Sequence, residues 1–576
     1  ERVTPNFGAD GREISDEDEV LIQKQIKNLA SCGVLLTREP NSAAPYFIVN
    51  VDRETGRSDL VTAGAEGRVE TYYVARDCPE DTLPDEIAGV VRLGRELVHL
   101  SNIDVLDIEF GEDAEGRLYL FQVRPLTTAR HRTSVAEEDL AQLISESRQF
   151  VKSRQKDNPR LLGRTSIFGT MPDWNPVEMI GRAPKALALS LYQLLIGNGP
   201  WAIARTRIGY RDAVPEPLIL SVGGRPYVDV RASLNSFLPA DLPETIGGKW
   251  VDGCLDRLRA RPELHDKIEF GVAVTCLAPD WPMAETRLAE AGLTPNEVAT
   301  FKACLGRMTG GILSGAVEPI SRQFDLLQTL AERRRPLLDI DSGDNSELAS
   351  RIQHALDDCR EYGTVPFSIL ARYAFVALTF LKGFVAHGIV TEDDAERFQR
   401  SVPTVASGFS DDLIRYRLGE IDLSILSERY GHLRPNSYEI TSPNYRSSPE
   451  RYFRPVDREL ETPAAAAEIL LAHEAGIRTV LDDLGLDVSA SALIMFMAEA
   501  ISGRELAKFE FMKNLDLALE SVAQLGRNVG IDREVISHVP ITEILRLATD
   551  SVSPAIDSHF IRTANFNRKR LELAQA

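Results

Sequence analysis

The first 130 residues are rich in β-type runs, and from about residue 134 the hydrophobic pattern becomes helical. That single change of period limits the folds open to this chain. Before it, VLIQKQI (20–26), CGVLLTRE (32–39) and PYFIVNV (45–51) read as strands, with turn chemistry at Pro40-Asn41-Ser42 and from Asp52 through Gly56. LDIEFGEDAEGRLYLFQVRPLTT (106–128) adds two β-rich runs around a polar turn, and PDEIAGVVRLGRELVHLSN ahead of it reads as a helix. After it, VAEEDLAQLISESRQFVKSR is amphipathic, and helical patterns broken by Pro- and Gly-rich loops run onward. One β interruption, LILSVGGRPYVDVRAS at 218–233, predicts two strands joined by Gly223-Gly224. The expected architecture is an α+β N-terminal part over 1–130 and a linker helix over 131–165. A large, mainly α-helical domain with a small β-hairpin insertion follows over 166–462, and 463–576 is its helical C-terminal segment.

At 576 residues the chain exceeds the size at which one core stops growing, so several domains are expected. A formal net charge of −21 speaks against a nucleic-acid partner, since no basic surplus exists to neutralise phosphates. A few placed Arg or Lys residues could still form a local phosphate site. The six cysteines, at 32, 78, 254, 276, 304 and 359, show no CxxC and no zinc spacing, which reads as reduced thiols. The polar, acidic opening residues do not read as a signal peptide. YAFVALTFL at 373–381 is too short to span a bilayer and suits a buried helix. A cytoplasmic protein without membrane contact is expected.

The hairpin over 106–128 carries the first candidate site. With Glu115-Gly116 as a two-residue turn, Phe110 faces Phe121 and Ile108 faces Val123 on an apolar face. On the other face Glu109 meets Gln122 and Asp107 meets Arg124. A carboxylate and an amide oxygen side by side can share a hard cation such as Mg²⁺, and an adjacent arginine can fork onto a phosphate. The same pattern also suits a solvated face with one Asp–Arg pair, and spacing alone does not separate the two readings.

DIEF…LYLFQVRPLTT resembles the end of the ATP-grasp domain in the pyruvate phosphate dikinase and phosphoenolpyruvate synthase family, where an acid-rich strand precedes one ending Q-x-R-P. The resemblance implies that Glu109 and Gln122 hold Mg²⁺ and that Arg124 contacts ATP phosphates, with Asp107 beside it. CGVLLTREPNSAAPYFIVN is similar to the family's S-G-V-x-F-T-R-D-P-x-T-G stretch, which would set Arg38 near the phosphates. Here Glu39 replaces Asp, and Ser42-Ala43 replaces Thr-Gly. Residues 1–130 would then be the C-terminal lobe of an ATP-grasp domain. The family's preceding lobe, with its Lys and Arg, and its Gly-Gly-rich phosphohistidine segment have no counterpart here; His559, in IDSHF, lacks the glycines. The chain reads as the middle of a larger enzyme.

Three further stretches resemble the central domain of phosphoenolpyruvate synthase-like proteins, including rifampin phosphotransferase: MPDWNPVEMIGRAPKALALSLYQLL, ERYGHLRPNSYEITSPNY and GRELAKFEFMKNLDLALESVAQLG. They imply acceptor-binding roles for Asn175, Glu178, His432, Arg434, Glu439 and Arg504. Arg231, sharing an expected strand face with Tyr227 and Asp229, is added from pattern alone. Each has a structural alternative. Asn175, Pro176 and Glu178 satisfy helix-start rules. His432 and Arg434 follow Gly431 and could cover helix-end carbonyls. Arg504, Glu505 and Lys508 suit a charged helix face.

The resulting expectation is part of a dikinase-type phosphotransferase, with ATP, Mg²⁺ and a small-molecule acceptor. The missing lobe and phosphohistidine domain would be supplied in cis or in trans. The alternative is a non-catalytic ligand-binding protein with a degenerate ATP-grasp remnant. An ATP-grasp ligase is disfavoured by the Q-V-R-P ending and the long helical extension.

Overall fold

A computed structural model describes residues 26, 29–40, 43–53, 69–126, 135–338, 344–454, 466–549 and 556–576. The strand expected at 20–26 and most of the turns at 40–42 and 52–56 lie outside them. The chain divides into two compact units, residues 1–141 together with Ala576, and residues 142–575.

The first unit is built on five antiparallel strands: β1 (Leu29–Leu36), β2 (Tyr46–Asp52), β3 (Glu70–Ala75), β4 (Leu106–Asp113) and β5 (Leu118–Pro125), in the order β3-β2-β1-β4-β5. Helix α1 (Asp85–Ser101) lies between β3 and β4 in sequence. The sheet turns Leu35, Phe47, Val49, Val51, Val74, Ile108 and Phe110 to one face, where Ile87, Val90 and Val91 of α1 close the core. Strand β3 was not read from the sequence.

The β4–β5 hairpin departs from its expected form twice, and the departures cancel. Its loop has three residues, not two: Asp113 N–H donates to the Arg117 carbonyl and Gly116 N–H to the Asp113 carbonyl, with Gly116 at φ +77°. The Asp113 carboxylate fixes this loop by accepting from the amides of Glu115 and Arg117. A one-residue bulge then falls at Phe121, so Phe110 faces Leu120 instead of the expected Phe121. The displaced Phe121 ring lies over Gly111, 2.7 Å from where a Cβ would stand, which leaves no room for a side chain there. Beyond the bulge Ile108 faces Val123, Glu109 faces Gln122 and Asp107 faces Arg124.

The second unit is mainly helical. Gly223-Gly224 joins β7 (Ile219–Val222) to β8 (Arg225–Asp229), and β6 (Phe168–Gly169) pairs with the outer side of β8. Two large hydrophobic cores fill this unit, beside a small third cluster of Leu413, Leu426, Tyr430 and Phe453. The Val365–Ala386 helix sits mostly in the first, with Tyr373, Val376, Ala377, Phe380 and Leu381 buried. The helical run over 345–386 is long and apolar enough to cross a membrane, yet 67% of its apolar window is covered by protein. A helix of 39 residues, Ala490–Asn528, passes through both cores.

Candidate functional site

The face of the hairpin away from α1 gathers four of the candidate residues. Asp107, whose side chain is 8% exposed, accepts a hydrogen bond from Arg124 Nε at 2.8 Å, and Arg124 Nη2 lies 2.7 Å from the same oxygen as an ion pair. Both contacts fall on Oδ2, and Oδ1 is buried with no hydrogen-bond partner among the described residues. The Asp107 carboxylate in turn raises the Arg124 guanidinium further above its ordinary pKa. One pair along, Glu109 and Gln122 stand opposite each other, at the separation of directly paired strand positions. No group of three or more His, Cys, Asp or Glu side chains among the described residues could hold a metal. The oxygens on this face are instead carboxylates and one amide, which is a donor set for a hard cation such as Mg²⁺.

Arg38 makes its contacts with other residues. Its Nε and Nη2 lie 2.5 Å from Asp104 and Glu137, and its Nη1 donates to the Ala43 carbonyl at 3.0 Å. Arg76 also bonds Asp104. Burial pushes the Asp104 carboxyl up, but the two arginines together hold it below the usual carboxylate range. Arg38 closes the sheet end with Asp104 and Glu137, and two carboxylates already neutralise it.

In the second unit the expected acceptor residues do not converge. Arg231 is not on a strand: β8 ends at Asp229, whose carboxylate caps the Val230–Asn235 helix by accepting from Ala232 N. The Arg231 guanidinium, buried, donates to the carbonyls of Arg154, Lys156 and Gly163. It therefore ties down the chain after the Glu137–Arg154 helix and faces no site. Asn175 caps the Pro176–Ile180 helix, as read, with Glu178 exposed on it. Both Asp173 and Asn175 hold positive φ, +55° and +44°. Arg504 bonds its neighbour Glu505 on the surface of the long helix.

His432 and Arg434 do more than cover a helix end. Arg434, 1% exposed, donates to Asp516, to Glu520 at 3.0 Å and to the Ser442 carbonyl. Asn444, buried, and Arg533, partly exposed, complete this network. Burial raises the Asp516 carboxyl despite Arg434 and Asn444. Burial also pushes Glu520 up, but Arg533 and Arg434 hold it below the usual range. His432 packs its ring 4.6 Å from Phe509, with Nε2 buried and without a hydrogen-bond partner among the described residues. Burial, with Lys513 and Arg334 nearby, pushes its pKa down to about 3. Glu439 accepts from Thr441 and stands 3.7 Å from Lys185.

A second charged cluster gathers residues to which the sequence reading gave no role. Asp173 takes a bidentate pair from Arg205, at 2.6 and 3.0 Å, and a bond from Ser233. Near it stand Glu269 and Arg372, which belong to segments far apart in sequence. The one local signal is Arg372 in YAFVALTFL's flank, a charge on the most apolar helix in the chain.

No protein-family model matches this sequence, and no curated protein matches it either.

Proposed function

We propose that this chain is a component of a dikinase-type phosphotransferase acting in the cytoplasm. In this reading it takes Mg·ATP against the β4–β5 hairpin and a small-molecule acceptor in the helical unit. The observation that carries it is the juxtaposition of Glu109, Gln122, Asp107 and Arg124 on one sheet face. Glu109 and Gln122 would hold the cation, and the orphaned Asp107 Oδ1 adds a third oxygen on the same face. Arg124 keeps Nη1 for a phosphate oxygen, because Asp107 engages only Nε and Nη2. Mg²⁺, when bound, supplies charge neutralisation, and the protein's share of such chemistry is positioning. The partner lobe and the phosphohistidine are, in this reading, supplied in cis or in trans.

A second reading, a ligand-binding protein with a degenerate nucleotide site, is favoured by Arg38, whose charge is already met by Asp104 and Glu137. Calorimetric titration of ATP with and without Mg²⁺ separates the two. The enzyme reading expects Mg²⁺-dependent binding that Glu109→Ala and Gln122→Ala both weaken. Absence of such binding at millimolar ATP leaves only the second. With the complementary domains present, acceptor-dependent release of AMP and inorganic phosphate is expected. ADP as sole nucleotide product sinks the dikinase assignment.

A further inference from the structure

A groove of about 920 Å³ opens beside the Glu244–Ala260 helix, lined by five cations: Arg164, Lys249, Arg257, Arg261 and Arg287. Three carboxylates, Asp252, Asp256 and Glu290, share the wall. Five against three leaves an excess of two positive charges, on a chain whose net charge is −21. The acids that pair with Lys249, Arg261 and Arg287 are Glu297, Glu263 and Asp280, and none of them lines the groove. A concave surface with one sign of charge in excess concentrates ions of the other sign.

Arg257 and Arg287 come from different helices, Glu244–Ala260 and Trp281–Glu290, and a single turn of backbone fixes both. That turn is π-helical, Ile268–Val272, a conformation frequent at functional sites. Its Phe270 carbonyl accepts from Arg287 Nη1, and its Gly271 carbonyl accepts from Arg257 Nε at 3.2 Å. The next carbonyl, of Val272, accepts from Cys254 Sγ at 3.7 Å. Consecutive carbonyls thus hold two guanidinium groups near each other in the groove wall.

Covering helix-end carbonyls accounts for one N–H of each arginine, and more is left over. Arg257 pairs with the exposed Glu290 through Nη1, and its Nη2 has no hydrogen-bond partner among the described residues. Arg287, 13% exposed, keeps Nε buried without a hydrogen-bond partner among the described residues. Its Nη2 stands 3.5 Å from Asp280, longer than a good hydrogen bond. Burial pushes the Arg287 guanidinium below its ordinary pKa, with Asp280 opposing and the charge of Arg257 adding to the shift. Two neighbouring guanidiniums, each incompletely paired, are a costly arrangement that an anion relieves.

We propose that this groove binds a small phosphate-bearing molecule, with Arg257 and Arg287 donating to phosphate oxygens and Lys249 as a third cation. One guanidinium fork satisfies a carboxylate, whereas a phosphate dianion offers three terminal oxygens, which suit two forks and a wall with two charges in excess. Glu290 occupies Arg257 until the ligand displaces it. The site lies in the second unit alone and does not rest on the nucleotide reading of the hairpin.

Isothermal titration of the whole chain with inorganic phosphate, pyrophosphate and glycerol 3-phosphate, at low salt and without Mg²⁺, tests this. At least one is expected to bind saturably. A tighter ester points to a phosphorylated metabolite, and a tighter inorganic ion to free phosphate or pyrophosphate. Arg257→Gln should weaken the binding about tenfold or more, and Arg257→Lys should recover only part of it, since an ammonium lacks the fork. Glu290→Gln frees Arg257 and should tighten binding about threefold, the size of an exposed ion pair. A merely structural Arg257 would not give that result. Arg287→Gln should also weaken binding, with the fluorescence of Trp250 and Trp281, on the same two helices, reporting that the fold is kept. No saturable heat from any of the three ligands overturns the proposal. So does binding that both arginine-to-glutamine substitutions leave unchanged, or binding that Arg124→Ala abolishes, which would put the ligand on the hairpin.

Discussion

Asp107 meets both Nε and Nη2 of Arg124 on a single oxygen, and the two side chains differ sharply in exposure, 8% against 56%. Removing the arginine strands a buried carboxylate, whereas neutralising the aspartate leaves a guanidinium that water can reach. Arg124→Ala should therefore loosen the hairpin more than Asp107→Asn. Hydrogen exchange of the β4 and β5 amides measures this, and equal protection in the two variants would contradict it.

Gly111 marks the bulge as surely as Phe121 does. Gly111→Ala pushes a methyl into the Phe121 ring and should destabilise the hairpin by about 1–3 kcal/mol. Phe121→Leu in the same chain should recover part of the loss. Exchange protection that stays at the parent level in Gly111→Ala would show that the ring yields freely.

The Arg434–Asp516 pair is buried on both sides, so breaking it should be expensive. Asp516→Ala should lower stability by about 3 kcal/mol or more, with Glu520 limiting the damage. All four tryptophans, Trp174, Trp201, Trp250 and Trp281, lie in the second unit. Urea unfolding followed by their fluorescence therefore reads this unit directly; a shift under about 1 kcal/mol would refute the network's importance.

His432 should make the same unit acid-sensitive. In the folded chain its imidazole takes a proton only near pH 3, against about 6.5 when exposed. Acid therefore favours unfolding from pH 6.5 downward, and stability rises to its plateau above that value. At pH 5 this contribution is about 2 kcal/mol below its value at neutral pH. The urea midpoints of parent and His432→Gln should differ in their pH slope between 5 and 7, and parallel slopes would count against it.

Asn175 holds φ +44° while capping its helix. Asn175→Ala loses the cap and keeps the left-handed strain, at about 1–2 kcal/mol. Asn175→Gly relieves the strain and should cost a few tenths at most. Fluorescence-detected midpoints of the two variants, if indistinguishable, would remove backbone strain as the reason for asparagine here.

The hairpin was legible in sequence because alternation and Gly116 are local signals, and its inner pairs came out as read. The three-residue loop and the Phe121 bulge were not legible, since only their difference affects the pairing of Glu109 with Gln122. Gly223-Gly224 likewise announced its turn. Arg231 misled because alternation through YVDVRAS outweighed the capping signal of Asp229 three residues before Ala232. Arg372 and Glu269 could not be paired from sequence at all. About a hundred residues separate them, and only helix packing brings their charges near one another.

The Ala490–Asn528 helix has a consequence for how the second unit comes apart. Its residues from Ala490 to Ala507 belong to one core and those from Phe511 to Leu525 to the other. It acts as a shared axle, ~58 Å long at ~1.5 Å per residue, so neither core can melt without releasing the other's longest support. Loss of structure in this unit should be a single cooperative event, and strain placed at one end of the axle is felt at the other.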